Sequence, residues 1–296
     1  MRFTHNRSTR AAPAYPPWQS AYSEDAMRRA WTAVRANRGT AGADGATMAE
    51  FEKRLDANLS ALRRDLLDGS YRPQRVTQVL VPKAGDKWRP ISLWTIRDRV
   101  AQRAAYNYLE GPFESRFLPC SFGFRPGRTT ETAARAVAQA RRSGARWVLD
   151  ADIKDCFGSM ESDRLLAMLA GWGVPEPIHR LIGRWLQARV WNAWVGRGEA
   201  GTSQGGAISP LLCNVYLHPF DEAFERGGLS LVRYADDFVV LARDEKAIRR
   251  AQSGAGAELG RLGLVLHPQK TRITTFDEGF QFVGWFFVRD EMYQLR

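Results

Sequence analysis

The segment LVRYADDFVVLA places two neighbouring aspartates, Asp236 and Asp237, between two short apolar runs. The runs, residues 229–234 and 238–243, predict a β-hairpin with the carboxylates at its tip. Two-residue hairpin turns favour Asn-Gly or Asp-Gly, and this tip contains neither glycine nor asparagine. Adjacent carboxylates also raise each other's pKa unless a cation lies between them. The tip therefore indicates either a divalent cation with oxygen ligands or a solvated, aspartate-rich turn.

A second acidic strand end lies earlier in the chain. Residues 146–153 alternate as a strand does, and a period of two places Asp150 and Asp152 on the face of Val148, with Asp152 at the strand's end. A third carboxylate in such a place is what two Mg²⁺ ions need if they are held about 4 Å apart. Such ions would activate an attacking 3′-hydroxyl and stabilise the in-line displacement of pyrophosphate from an α-phosphate. The alternative is that Asp152 caps the following turn.

Two further segments have the composition of phosphate-binding elements. The pair Gly205-Gly206 would let the backbone approach a ligand closely, and a helix predicted over residues 207–226 would offer its N-terminus to an anion. A basic hairpin in VPKAGDKWRP would neutralise a leaving pyrophosphate. Its cations are Lys83, Lys87 and Arg89. Each segment also has an ordinary alternative: a tight turn for the glycines and a solvated surface hairpin for the cations.

Composition narrows the class of partner. The formal net charge of +11 favours a polyanion, which could be a nucleic acid or an anionic membrane surface. The apolar runs are far shorter than the about 20 residues that span a bilayer, so no transmembrane helix is expected. Three scattered cysteines are too few for a disulfide framework or a zinc site, and no secretory signal precedes the first helix. These features favour a reduced, cytoplasmic protein.

Helices and strands alternate along the chain without a βαβ rhythm, which favours the α+β class. Ser23 is the predicted N-cap of a first helix that ends near Gly39, and Thr95 with Asp98 predicts a capping box. A final hairpin is predicted around residues 277–279, and a short strand over VWNAWV. Further helices are predicted over residues 51–66, 95–110, 129–142, 161–170, 175–188 and 244–262.

Several of these segments together resemble a known family. YADD, DADIKDCF, SQGGAISPLLCN, VPKAGDKWRPISL with TIRDRVAQRA, and SFGFRPGRTTETA occur in the order found in reverse transcriptases, and they look most like the group II intron type. NRGTAGADGATMAEF is similar to that family's extra N-terminal element, and GLVLHPQKTRI and FQFVGWFF resemble its last two palm motifs. The resemblance covers residues 35–290. It implies a right-hand polymerase fold with fingers and an antiparallel palm sheet.

The resemblance also implies roles for individual residues. Asp152, Asp236 and Asp237 match the metal-binding and catalytic aspartates, and Ile153 would lend a backbone carbonyl to two Mg²⁺ ions, for which Mn²⁺ can substitute. Lys270 matches a general acid for pyrophosphate. The nucleotide-binding positions are Lys83 and Arg89 for the triphosphate, Phe157 as the steric gate against a 2′-hydroxyl, and Gln204 with Gly205 as the pocket floor.

Positions for nucleic acid follow in the same way. Phe282, Gly284 and Trp285 resemble the primer grip. Arg125 and Arg128, beside Phe122 and Phe124, suit phosphate contact and base stacking, and an aromatic-packed fingers loop is the alternative. This sequence departs from the family pattern at three positions: Ser203 and Ala207, where the family commonly has proline, and Gly158, where it often has an acidic residue.

The implied organisation is a basic, flexible arm, then fingers, palm, an insertion, and a palm that ends in the primer-grip hairpin. Because the chain stops shortly after that hairpin, the helical thumb is expected to be absent or truncated, with a protein or RNA partner in its place. The boundaries are 1–20, 21–130, 131–165, 166–200 and 201–296.

The implied function is an RNA-directed DNA polymerase that extends a DNA or RNA primer on an RNA template with dNTPs. Two alternatives remain: a CRISPR-associated or antiphage-defence reverse transcriptase acting in a complex, and a non-catalytic, maturase-like RNA-binding module. Intact aspartates speak against the non-catalytic module, because a binder has no need of clustered carboxylates. Phe157 disfavours RNA synthesis.

Overall fold

The computed structural model describes residues 14–83, 87–188, 190–192, 196–197 and 205–295. Helices and three separate sheets are mixed along the chain, which confirms the α+β prediction. Most of the predicted arm, the tip of the basic hairpin, the end of the VWNAWV strand and most of the glycine-rich loop lie outside the described residues. No helix within the described ranges is long and apolar enough to cross a membrane.

The N-terminal part is helical. A 3-10 turn, Trp18–Tyr22, leads into α1, Glu24–Ala36, where the Ser23 side chain accepts the Ala26 N–H as predicted. Buried positions of α1, among them Trp31, pack on the long helix α4, Ile96–Glu114. Between them lie α2, Met48–Lys53, and α3, Leu55–Leu67.

Only half of the capping box predicted at the start of α4 is present. The Thr95 hydroxyl accepts the Asp98 N–H, but the Asp98 carboxylate turns inward instead of returning to the Thr95 backbone. It accepts hydrogen bonds from the Tyr71 hydroxyl at 2.6 Å, the Thr95 hydroxyl at 2.8 Å and the Gln74 N–H at 3.1 Å. Asp98 therefore joins α4 to the segment that follows α3.

The basic hairpin forms the first sheet. β1, Val76–Lys83, and β2, Lys87–Leu93, pair antiparallel with Val81 opposite Arg89. Two short strands, β4 (Val190–Asn192) and β5 (Gly196–Arg197), extend the sheet on the β1 side, and the strand order is β2-β1-β4-β5. The pairing of β1 with β4 is parallel.

Four strands form a second, antiparallel sheet: β3 (Trp147–Asp152), β6 (Ser230–Tyr234), β7 (Asp237–Ala242) and β8 (Arg272–Thr275). Their order in this central sheet is β6-β7-β3-β8. Apolar side chains of β3 alternate between a first core, which contains Leu149, and a second core, which contains Val148, so both faces of the sheet are covered. Helix α5 (Thr130–Arg142) packs on one face, and helices α9 (Ser209–Arg226) and α10 (Glu245–Arg261) pack on the other.

Between β3 and α9 the chain forms three helices. The single turn α6, Cys156–Ser159, follows β3 directly. The longer α7, Ser162–Gly171, and α8, Glu176–Leu186, pack against each other. Both longer helices fall where the sequence predicts them.

The predicted final hairpin around residues 277–279 is wrong. The strand before this turn, β8, pairs with the free edge of β3, whereas β9 (Phe280–Phe282) starts a third sheet with β10 (Trp285–Val288) and β11 (Glu291–Gln294). The turn therefore connects two different sheets. The strand that follows it, β9, joins the third sheet because Phe280 and Phe282 are buried in the second core. The prediction of an absent thumb and the division into fingers, palm and insertion stay predictions.

Candidate active site

The three predicted aspartates lie together at the end of the central sheet. Asp152, the last residue of β3, is the register partner of Asp237, the first residue of β7. The Ile153 N–H donates to the Asp236 carbonyl at 3.2 Å, which joins the hairpin turn to the strand end. The Asp152 carboxylate lies close enough to Asp237 to raise the pKa of Asp237. Antiparallel pairing thus brings carboxylates more than eighty residues apart in sequence to one place.

The electrostatics of this cluster are those of carboxylates crowded away from water. Burial, followed by the charges of Asp236 and Asp152, raises the pKa of Asp237 to about 7. Burial also raises the pKa of Asp236, where the charge of Asp152 adds to the effect and the cations Lys270 and Arg89 oppose it. A bound cation would therefore stabilise the ionised form of these carboxylates.

The donor chemistry fits a hard divalent ion, because carboxylate oxygens are the ligands that Mg²⁺ prefers. The side chains as placed do not form a closed ligand shell: within the described ranges, no group of three His, Cys, Asp or Glu side chains is arranged to hold a metal ion. Asp152 is instead bonded to Lys270 through one carboxylate oxygen, Oδ2. An ion would bind through the remaining carboxylate oxygens of the cluster.

Two cations face the cluster. The Lys270 ammonium donates to Asp152, and this bond first, with the aspartate charges, raises the pKa of Lys270 and keeps the side chain protonated. The positive charge of Arg89 on β2 lowers the pKa of Asp236 and so opposes the effect of burial. The basic hairpin therefore lies close enough to influence the site. Lys83 ends β1, but the structure does not describe its side chain.

The predicted steric gate follows the acidic strand closely. Phe157 lies in α6 and is buried in the first core, which also contains Leu149. The residue before this helix, Asp155, has φ 43°, and a Cβ at Gly158 would overlap the Asp155 carboxylate. A larger residue at position 158, where the family often has an acidic one, would therefore have to displace the Asp155 carboxylate.

The glycine pair, of which Gly205 belongs to the predicted pocket floor, packs on the end of β2. Gly205 has φ 123°, and a Cβ there would lie 2.5 Å from the Ser92 carbonyl. Gly206 is buried, and the helix α9 begins three residues later. Gln204, the other predicted floor residue, lies outside the described residues.

Arg125 does not have the position predicted for it. Its guanidinium is buried, pairs with Glu114 through bonds of 2.5 and 2.8 Å, and donates to the carbonyls of Leu118 and Ser121. Only 3% of its side chain is exposed, so the guanidinium is not accessible to a phosphate. This is a correction: the arginine organises the loop between α4 and α5, which supports the alternative of a packed fingers loop.

Among the other predicted nucleic-acid residues, Phe282 is buried as well, and the rest are more accessible. Arg128 lies over the Phe122 ring at 5.0 Å and donates to the Pro119 carbonyl, and Phe124 is 43% exposed at φ 60°. The predicted primer-grip residues form the turn between β9 and β10: Phe282 is buried, Gly284 has φ 81°, and Trp285 is half-buried.

A buried arginine beneath the turn that carries Asp236 is the feature of the site that sequence reasoning missed. Arg233 of β6 is fully buried, as is its ion-pair partner Asp221 of α9, with bonds of 2.5 and 2.7 Å. Its remaining donors reach the Ala235 carbonyl, Asn214 at 3.0 Å and Ser121 at 2.7 Å. Burial alone would lower the pKa of Arg233, but the Asp221 carboxylate outweighs it and raises that pKa. The signal in the sequence was a charge inside an apolar strand.

The loop after α4 also contacts the turn that carries Asp236. The Arg233 carbonyl accepts the Phe122 N–H at 2.8 Å, and Asn214 donates to the Gly123 carbonyl at 2.8 Å. A Cβ at Gly123 would overlap the backbone nitrogen of Ala235, which has φ 59°. Alanine is thus held in a left-handed turn by contacts on two sides, so a glycine at the tip is not needed.

In fold, the molecule resembles the palm and fingers of telomerase. Telomerase from Candida albicans superposes with a TM-score of 0.57, covering 76% of this chain and 47% of that chain at 14% sequence identity. At this identity the likeness concerns the fold alone, a palm-and-fingers polymerase fold.

The sequence comparison identifies the family. The family described as reverse transcriptase (RNA-dependent DNA polymerase) matches residues 81–287. The chain therefore belongs to the reverse transcriptase family, whose members generally use divalent metal ions.

Individual relatives agree with this assignment. Protein YkfC of Escherichia coli (strain K12) is 30% identical over 290 residues, covering 84% of this chain and 76% of YkfC. The group II intron-encoded protein LtrA of Lactococcus lactis subsp. cremoris is 33% identical over 169 residues, covering 56% of this chain and 28% of LtrA. The matched part is thus most of YkfC's length and less than a third of LtrA's.

Proposed function

We propose that this protein is an RNA-directed DNA polymerase that extends a primer with dNTPs and uses two Mg²⁺ ions, for which Mn²⁺ can substitute. The observation that carries the proposal is the convergence of Asp152, Asp236 and Asp237 at one sheet end in a chain of this family. Retroelement-type relatives support an RNA template.

Asp152, Asp236 and Asp237 would hold the ions, with the Ile153 carbonyl beside them. When bound, the ions supply charge neutralisation at the α-phosphate and a lowered pKa of the primer's 3′-hydroxyl. Arg89 and Lys83 would bind the triphosphate. Lys270, kept protonated by its bond to Asp152, would give a proton to the departing pyrophosphate.

The central test is primer extension on poly-rA with oligo-dT and Mg²⁺. We expect Asp236→Asn to abolish dNTP incorporation and to leave RNA binding nearly intact. The matched control is Asp150→Asn, on the same face of β3 but paired with Arg272 at 3.1 Å, which should keep most of the activity. Chelation should stop the reaction, and added Mg²⁺ or Mn²⁺ should restore it.

Two outcomes would contradict the proposal. An active Asp236→Asn variant would remove these carboxylates from the chemistry. An inactive wild-type protein that still binds RNA would assign the chain to the alternative, a non-catalytic RNA-binding module.

The steric gate gives a separate prediction about sugar selection. Phe157→Ala would open space beside the bound sugar, so the variant should incorporate ribonucleotides that the wild type rejects. Paired measurements of kcat/KM for dTTP and UTP on poly-rA would show this as a lower preference for the deoxy sugar. Unchanged discrimination would remove Phe157 from that role.

The biological setting is a further part of the proposal. Similarity to a group II intron-encoded protein and to a retron reverse transcriptase favours a retroelement-like enzyme. We also propose that a protein or RNA partner contributes to holding the template–primer duplex. Primer extension at increasing protein concentration, with and without an added structured RNA, would test this partner.

A further inference from the structure

A group of buried polar atoms without hydrogen-bond partners lies beside the glycine pair of the proposed nucleotide pocket. Gln102 of α4 is fully buried, and neither its amide oxygen nor its amide nitrogen has a partner among the described residues. The same holds for the Trp94 indole nitrogen and the Ser92 hydroxyl, both in residues that are 3% exposed. These three residues surround the junction between β2 and α4.

Two of these polar groups lie close to the backbone of Gly206, and the Ser92 backbone carbonyl lies close to that of Gly205. A Cβ built on Gly206 would lie 2.8 Å from the Ser209 hydroxyl, 2.9 Å from the Gln102 amide oxygen and 3.4 Å from the Trp94 indole nitrogen. A Cβ on Gly205 would lie 2.5 Å from the Ser92 carbonyl. The side of the glycine pair that could carry side chains is therefore occupied by this polar group.

Leaving several polar atoms buried and unpaired is unfavourable, and an apolar side chain of the same size would suit a purely structural role better. A buried amide beside Gly205 and Gly206 can instead serve as a hydrogen-bond partner for the peptide groups of these two glycines.

We propose that Gln102 is a positioning residue: its amide holds the peptide groups of Gly205 and Gly206 in the arrangement that receives the deoxynucleoside triphosphate. Trp94 and Ser92 complete the polar wall against which these glycines rest. This inference rests on the proposed polymerase function.

The first test is the steady-state kinetics of Gln102→Leu in primer extension. We expect the KM for dTTP to rise about three- to tenfold, the range of one lost hydrogen bond, with kcat changed less than about twofold. The thermal midpoint should stay level or rise, because a buried unpaired amide is removed. The control is Gln252→Leu on α10, which should leave KM unchanged. If the leucine variant does not fold, the unbranched Gln102→Met serves in its place.

The second test couples Gln102 to the glycine that it contacts. Gly206→Ala should reduce activity because the new methyl meets both the Ser209 hydroxyl and the Gln102 amide. Shortening the amide side chain in the double variant Gly206→Ala/Gln102→Ala should restore part of that loss, so the two effects should not add.

The outcomes separate this inference from the function on which it rests. An inactive wild type defeats the polymerase proposal itself. An active wild type with an unchanged KM in Gln102→Leu, or with a lower thermal midpoint and lower kcat at unchanged KM, overturns the role of Gln102, as does full additivity in the double variant.

Discussion

At the scale of single residues, Arg233 shows how a catalytic turn can depend on a side chain outside any recognised motif. Five hydrogen bonds from its guanidinium reach Asp221, Asn214, Ser121 and the Ala235 carbonyl. A buried ion pair of this kind adds little net stability, but removing one partner leaves an uncompensated buried charge. The network therefore serves to position the turn that carries Asp236.

Arg233→Met should lower the free energy of unfolding by about 3–5 kcal/mol, because Asp221 is left buried without a counter-charge. Urea unfolding followed by circular dichroism would measure this. The double variant Arg233→Met/Asp221→Leu removes both charges and should recover most of the stability. It should still lose most primer extension, because the Ala235 carbonyl is no longer held. Full activity in the double variant would show that the network is structural only.

At the scale of elements, the position of the hairpin β6–β7 depends on the loop between α4 and α5. The loop donates the Phe122 N–H to Arg233 and lays Gly123 directly on Ala235. Arg125 shapes the same loop from inside through Glu114. A loop that is distant from the aspartates in sequence thus contacts the turn that carries them and helps to fix its position.

Gly123→Ala should therefore reduce both stability and primer extension, because its methyl would push the backbone of Ala235 and displace the turn. Gly111→Ala is the matched control: it lies inside α4 with nothing within 4 Å of the new Cβ. The control should keep full activity and gain about 0.5–1 kcal/mol from helix propensity. Thermal unfolding and primer extension of the two variants test the contrast, and equal behaviour would contradict it.

The outer helix α10 offers a prediction about stability alone. Gly254 and Gly256 lie in its interior, and open space surrounds the Cβ position of each. Replacing both with alanine should raise the free energy of unfolding by about 1–2 kcal/mol in total, since each glycine costs about 0.5–1 kcal/mol in a helix interior. Chemical unfolding measures the gain, and a loss of stability would show that the glycines have a packing role.

At the scale of the whole molecule, the net charge of +11 acts as a field on a polyanion. If the chain binds a template–primer duplex through phosphates, each contact releases counterions. We expect the Kd for an RNA–DNA duplex to rise by roughly a hundredfold or more between about 50 and 200 mM salt. Fluorescence anisotropy across that range would measure the slope, and a flat response would exclude a binding mode dominated by phosphate contacts.

The amino-acid sequence predicted most of the local structure, because local rules govern it. Apolar periodicity predicted α5, α7, α8 and α10 within a few residues, and alternation predicted β3 with Asp152 at its end. The order of the motifs along the chain predicted the family, which the family match over residues 81–287 confirms. The basic hairpin also formed as expected, because its two strands are neighbours along the chain.

Other features depended on contacts between distant parts of the chain. The turn at residues 277–279 looked like a hairpin, but β8 found the free edge of β3 while Phe280 and Phe282 entered another core. Arg125 looked like a phosphate ligand, but Glu114 lies within reach of its buried guanidinium. Nothing local to either segment reveals these partners.

The sequence alone therefore determined which carboxylates, cations and glycines the protein has and at which strand and helix ends they stand, since spacing and capping act over a few residues. The tertiary structure alone decided that Asp152 pairs with Asp237, that Arg233 is buried beneath their turn, and that Gln102 rests on Gly206. Those relations join residues remote along the chain, and they arise from packing and burial across the whole molecule rather than from any local preference.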